Sequence, residues 1–362
     1  MFVVTNRVVG KGKTISTFGD TPNARGPNEL RMAHVKKVDG KWRVAIVEDE
    51  LSAAEVKHLN SDYHLNIDTS LPWHGSLSVA CKLFDQAKEE DKPILIFTHG
   101  YNNDIGDVLD TALAIQTLYD CIVVPFSWPA NGGGAISGTA SYLSDKADAR
   151  ASSGAFNRFI GKVHYLHTLL SQANMNAIKA KVEAKYRNKD NPMAASSLYS
   201  ELIDKACSIK ISLLCHSMGN YLLKHSLMTS DNVTSKLIFD NINLVAADTN
   251  NHDHAKWVEK LDVRNRVHIV INEHDFALKA SRVKPGGEQH ARLGHYLKGL
   301  NAQNAIYIDA SDASGVRGEH SYFKGPAVEG NAQLKALFND LFNGNSVEKG
   351  LSYNPAANYY RL

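Results

Sequence analysis

The segment ISLLCHSMGN, Ile211–Asn220, holds the residues best suited to chemistry. An apolar run leads straight into His216-Ser217-Met218-Gly219, and Tyr221-Leu222-Leu223 opens an apolar-periodic helix behind it. Ser217 therefore falls in a tight strand-to-helix turn that lifts its hydroxyl clear of a sheet edge. Such a turn crowds the residues two before and two after the serine, so both must be small. Gly219 meets that demand fully and Cys215 only approximately. The helix N-terminus behind the serine offers free amides and a favourable dipole to developing negative charge. This arrangement suits a serine nucleophile; a plain helix N-cap is the structural alternative.

Three further segments complete the chemistry. His99-Gly100-Tyr101-Asn102 follows the run PILIFT, and a small residue there lets the next amide turn toward an oxyanion. The amides of Tyr101 and Met218 would then form a two-donor hole. Asp275 lies just beyond the run Val267–Ile271, where open α/β sheets place their ligands. His320 follows the run Ala305–Ile308 and the loop Asp309–Glu319. Ser217, Asp275 and His320 thus stand in the order nucleophile, acid, base, each past a strand. Asp248, after the run Ile242–Ala247, is the alternative acid, although the polar Thr249-Asn250-Asn251 behind it suits a helix cap.

Holding these groups requires a mostly parallel sheet. From about residue 74, short apolar runs alternate with amphipathic helices: Pro93–Thr98, a helix over Ile105–Tyr119, Cys121–Phe126 and Ile209–Cys215, then the three later runs named above. Continuous apolar strands alternating with helices mean an α/β fold with helices on both faces of the sheet. Before it, Phe2–Thr5, Leu30–Val38 and Trp42–Val47 read as an N-terminal β extension. The strands at 121–126 and 209–215 are farther apart than one crossover needs. The residues between them, about 130–205, are expected to form a helical cap or lid inserted in a single domain of residues 1–362. That insertion contains the Gly-rich loop Asn131–Gly138 and a long helix with Phe156, Ile160, Val163 and Leu170 on one face. Its basic stretch, Lys179, Lys181, Lys185, Arg187 and Lys189, reads as a solvated helix face, with recognition of an anionic group as the minority reading.

Composition narrows the field. The chain has 362 residues, 43% of them hydrophobic and 22% charged, which is ordinary for a globular protein and excludes a disordered or fibrous one. Forty basic residues against 38 acidic ones give a net charge of +2, so no field points to nucleic acid. No apolar run approaches the roughly 20 residues a membrane helix needs. The opening MFVVTNRVVGKGK reads as a strand and not as a secretory signal. Cys81, Cys121, Cys207 and Cys215 are dispersed in apolar segments without a CxxC pair, as expected of reduced thiols in a cytoplasmic protein. Gly12-Lys13-Thr14 lacks both the upstream glycine and the following helix of a phosphate loop. Ser137 breaks the glycine pattern after Trp128-Pro129 that a dinucleotide fingerprint needs. His252-Asp253-His254 has no helical partner ligands and reads as a polar helix start, so neither metal nor cofactor is expected.

The set of motifs resembles the α/β-hydrolase superfamily, in particular bacterial esterase/lipase-like proteins of a former domain-of-unknown-function family. Thr5-Asn6-Arg7, His99–Asn103, Phe126–Pro129, His216–Asn220 and His320–Phe323 match its TNR, HGYNN, FSWP, HSMGN and HSYF-like segments. Tyr142 and Asp145 match its YxxD element, and Asp275-Phe276-Ala277-Leu278 its acid before an apolar pair. Cys215 departs from the elbow's first glycine and makes the turn tighter than usual. The resemblance spans roughly residues 1–342 and implies acyl-ester hydrolysis by Ser217, His320 and Asp275, without a cofactor. Its implied substrate is a small-molecule or lipid ester, with His99, Gly100, Asn102, Trp128 and His216 as candidates to line the pocket. An amidase, thioesterase, phospholipase, acyltransferase or non-catalytic binding protein could use the same scaffold, and the oligomeric state is left open.

Overall fold

A computed structural model of the chain describes residues 1–130, 139–187, 191–206, 209–229, 237–283 and 290–362. The loop Asn131–Gly138, Lys189 and Cys207 lie outside the described residues. In chain order the strands are β1 (Phe2–Thr5), β2 (Arg7–Val9), β3 (Phe18–Pro22), β4 (Arg31–Val38), β5 (Lys41–Ile46), β6 (Ile94–Thr98) and β7 (Ile122–Ser127). They continue with β8 (Ile211–His216), β9 (Asn241–Val245), β10 (Arg266–Ile271), β11 (Ala305–Asp309), β12 (Ser352–Asn354) and β13 (Tyr359–Arg361). The helices are α1 (Ala53–Asp62), α2 (Gly75–Glu90), α3 (Ile105–Leu118), α4 (Thr139–Ala151), α5 (Ser153–Tyr186) and α6 (Pro192–Ala206). After them come α7 (Gly219–Thr229), α8 (Ala255–Val258), α9 (Phe276–Arg282), α10 (Pro326–Glu329) and α11 (Ala332–Phe342).

Eleven strands join one sheet in the order β12-β13-β11-β10-β9-β8-β6-β7-β1-β4-β5. Neighbours from β13 to β1 pair in parallel, while the edge pairings β12–β13, β1–β4 and β4–β5 are antiparallel. The central strands are buried along their whole length, as continuous Val, Ile and Leu runs require when both faces are covered. On one face, Phe97, Val123, Leu214 and Val270 pack with Val108, Ala112 and Ile115 of α3 and with Leu334, Phe338 and Phe342 of α11. Of the N-terminal strands, β1, β4 and β5 join the main sheet, while β2 and β3 pair in a two-stranded sheet of their own. Strand β1 pairs with β7 through Val4 and Phe126 and continues the parallel array.

The chain divides into two compact units. Residues 1–46, 93–160 and 210–362 form the first, which holds the whole sheet. Residues 47–92 and 161–209 form the second, where α1, α2, α6 and the later part of α5 lie. Leu65, Leu77, Cys81, Leu166 and Leu170 make a small core in that second unit. The helices expected over 130–205 are therefore shared between the units: α4 and the start of α5 belong with the sheet. Among the described residues no helix is long and apolar enough to cross a membrane.

Candidate active site

The strand β8 ends at His216, and Ser217 turns the chain into α7 with a φ of +54°. A non-glycine residue in that left-handed region carries backbone strain, which must be held by its surroundings. The Ser217 amide donates to the Val245 carbonyl at 3.1 Å, and the Ser217 carbonyl accepts from the Asp248 amide at 3.1 Å. Asn220, fully buried, donates its side-chain amide to the carbonyls of Cys215 at 2.9 Å and Ser217 at 3.1 Å. The turn is thus stitched to β9 on one side and to its own helix on the other. A Cβ on Gly219 would stand 2.7 Å from the Thr98 carbonyl oxygen, so only glycine lets α7 start this close to β6. Cys215, fully buried between Thr98 and Leu244, fits the position before the turn.

Because β6 neighbours β8, the loop after β6 passes directly over the serine. A Cβ on Gly100 would lie 2.6 Å from Ser217 Cβ, which fixes glycine at that position as well. The loop is held from behind. His99 Nε2 accepts from the Trp128 amide at 3.2 Å, Trp128 Nε1 donates to the His99 carbonyl at 3.1 Å, and the two rings stack at 4.8 Å. Burial holds the His99 imidazole neutral, with its pKa lowered to about 3. The Asn102 amide donates to Asp145 Oδ2 at 2.9 Å, and Tyr101 Oη donates to Ser141 Oγ at 3.2 Å, so α4 supports the same loop. Arg7, completely buried, donates Nη2 to the carbonyls of Asn103 at 3.0 Å and Ala130 at 3.1 Å and Nε to Ser127 Oγ at 2.9 Å.

Asp275 and His320 meet at the other side of the serine. Asp275 is buried at the N-cap of α9; its Oδ1 accepts the Leu278 amide at 3.0 Å and its Oδ2 accepts His320 Nδ1 at 2.7 Å. A carboxylate can only accept, so Nδ1 carries the proton and Nε2 is left as the basic nitrogen. Asn272 donates Nδ2 to the Glu319 carbonyl at 3.0 Å, tying the loop of the acid to the loop of the histidine. His216 Nε2 donates to the His320 carbonyl at 3.2 Å, with the rings 4.7 Å apart. Burial and the neighbouring His320 keep the His216 imidazole neutral far below its ordinary range.

Ser217 and His320 line one cavity of about 330 Å³ with Gly100, Tyr101, Asn103, Asp107, Asp110, Thr111, His216, Ser321 and Lys324. No hydrogen bond joins Ser217 Oγ to His320 among the described residues; such contacts often tighten only around substrate. Two of the five pocket candidates, Gly100 and His216, form the wall. His99 and Trp128 do not: both are fully buried, because they bond to each other behind the loop. Asn102 is likewise absent from the wall, its backbone turned at φ +59° toward Asp145. The Met218 side chain is buried beside the elbow.

Asp248, the alternative acid, is engaged elsewhere. Its Oδ1 pairs with Arg292 Nε at 3.0 Å and accepts Ser281 Oγ at 2.8 Å, and its Oδ2 accepts Tyr142 Oη at 2.9 Å. Asp248 does not cap the helix that follows it: the N-cap of α8 is His254, without a side-chain cap bond, while Asp275 caps α9. Arg292 has no local signal in the sequence, and Arg7 and Tyr142 are visible only as members of matching motifs. Lys324 and Asn272 were also missed, since nothing in their neighbourhood advertises a cavity. His254 sits buried between the Asn251 carbonyl at 2.7 Å and Tyr307 Oη at 2.5 Å, while His252 pairs with Asp253 at the surface. Among the described residues no three His, Cys, Asp or Glu side chains are grouped to hold a metal ion.

A parallel sheet with a strained serine at the end of a central strand, and a histidine–carboxylate pair past two later strands, defines the α/β-hydrolase class. A family model described as alpha/beta hydrolase of unknown function (DUF900) matches residues 78–171 and 171–297, and the chain belongs to that family. The matched region contains Ser217 and Asp275 and stops short of His320. No curated protein and no solved structure matches the chain.

Proposed function

We propose that the protein is a carboxylic-ester hydrolase acting through Ser217, His320 and Asp275. The observation that carries this reading is the left-handed Ser217, at φ +54°, sharing a cavity with a histidine whose Nδ1 is bound to a buried carboxylate at 2.7 Å. In the proposed reaction His320 Nε2 takes the Ser217 proton as Oγ attacks the ester carbonyl. The amides of Tyr101 and Met218 hold the resulting oxyanion, and Asp275 stabilises the charged imidazole. His320 then gives its proton to the departing alkoxide, which leaves as the alcohol. Water, deprotonated by the same nitrogen, attacks the acyl-serine; the acid is released and Ser217 recovers its proton. Every step uses groups of this chain, and the substrate is a small-molecule or lipid ester.

A fluorophosphonate probe tests the reading. One equivalent should label the protein at Ser217, and Ser217→Ala should abolish labelling while lowering ester turnover by about 10⁴-fold or more. Its thermal midpoint should hardly move, since the hydroxyl adds little packing. Near-full turnover of a small activated ester by the alanine variant would overturn the mechanism.

A further inference from the structure

Resting on that reading, we propose that Lys324 docks an anionic substituent of the substrate, a carboxylate or phosphate placed a short chain away from the scissile ester. Lys324 stands four residues beyond His320, and the segment between them is pinned by two fully buried aromatics. Tyr322 Oη donates to the Val270 carbonyl at 3.0 Å, and the Phe323 carbonyl accepts Tyr119 Oη at 2.5 Å. With these two turned into the core, Lys324 lines the same cavity as Ser217 and His320. Its Nζ donates to Thr111 Oγ1 at 2.7 Å and forms no ion pair among the described residues.

An ammonium offers three donors, and a half-buried one with a single acceptor is incompletely solvated. Two acids line the cavity, and each is engaged. Asp110 Oδ1 accepts Lys37 Nζ at 2.7 Å and Trp42 Nε1 at 2.9 Å. Asp107 Oδ2 accepts the Asp104 amide at 3.2 Å, closing the capping box of α3. Both carboxylates attract the Lys324 ammonium from a distance, but neither forms an ion pair with it, so its remaining donors still face the cavity. A ligand oxyanion would supply the missing acceptors through charge-assisted bonds in a partly desolvated site. A cavity of about 330 Å³ with polar walls also favours a compact, charged ester over a long acyl chain.

The test compares 4-nitrophenyl hemisuccinate with the similarly sized neutral 4-nitrophenyl butyrate. The unaltered protein should favour the hemisuccinate in kcat/KM by about tenfold or more. Lys324→Met should lower that ratio by about tenfold, and Lys324→Arg should keep most of it; Lys324→Gln serves if the methionine variant melts early. Succinate and inorganic phosphate, each added as an inhibitor of butyrate-ester turnover, separate a carboxylate from a phosphate preference. An unchanged ratio in Lys324→Met, or a preference for an ester bearing a trimethylammonium group, overturns the assignment and points to Asp107 instead. If Ser217 takes up the fluorophosphonate and the neutral ester turns over without anion dependence, this inference alone fails. If Ser217 is not labelled and neither ester is cleaved, the catalytic reading falls and takes this one with it.

Discussion

Asp275 does two things with its two oxygens: one caps α9 and the other holds His320. The sequence identified both candidate acids but expected a cap from Asp248, whereas His254 stands at the N-cap of α8. It missed the cap of Asp275 on α9, because short helices carry little periodicity to mark where they start. The pairing of Asp248 with Arg292 was invisible for a similar reason: the two meet only through the folded sheet edge. These contacts separate the two acids experimentally. Asp275→Asn should cost about 10³–10⁴-fold in ester turnover by favouring the wrong imidazole tautomer. Asp248→Asn removes the charge facing a fully buried guanidinium and should lower unfolding free energy by about 3 kcal/mol, with a modest effect on turnover per folded molecule. Denaturant titrations beside kinetics on the purified variants decide between them. The reverse ranking would make Asp248 the catalytic acid.

At the scale of elements, the loop after β6, proposed to carry an oxyanion donor, is placed by the position of β6 between β7 and β8. His99 fastens it to the end of β7 through Trp128, and Gly100 lays it on the serine at the end of β8. The central strands were legible as unbroken apolar runs, and so was the order of the turns beyond them. The pair β2–β3 and the pair β12–β13 were not legible: β2, β12 and β13 have three residues each, too short for a period to register, and the five residues of β3, FGDTP, carry no apolar alternation. The run Ile242–Ala247 was read two residues long because Ala246 leaves the strand at φ +47°, a choice set by the neighbouring elbow. Gly100→Ala tests the loop as a unit. Its methyl group would need to displace Ser217, so stability should fall by about 1–3 kcal/mol. The fluorophosphonate labelling rate should also drop by about tenfold or more. A variant that labels at the original rate would mean the loop does not set the serine's position.

Across the whole molecule, the buried histidines set the response to acid. Burial lowers His99 and His268 to about 3 and His225 to about 4, and His216 also lies well below its ordinary value of 6.5. Each is neutral in the folded chain but binds a proton in the unfolded one below about pH 6.5. Unfolding therefore takes up protons, and the stability present in full above pH 6.5 is lost as pH falls from there toward the lowered values. Each histidine contributes a slope of up to about 1.4 kcal/mol per pH unit. Urea midpoints should fall between pH 6.5 and 4.5, and His268→Gln should make the fall shallower; a flat profile over that interval contradicts the account. The parallel pairing of β1 with β7 has a consequence for the order in which the chain can assemble. During synthesis β1, β4 and β5 can form an antiparallel meander early, but Thr5 waits for Ser127, 122 residues later, to close its other side. Through that interval the nascent chain exposes an open strand edge, the feature most prone to mispairing between chains. The hazard peaks before the ribosome has added Ser217, Asp275 or His320, so an interrupted product would be adhesive and would lack the whole proposed triad.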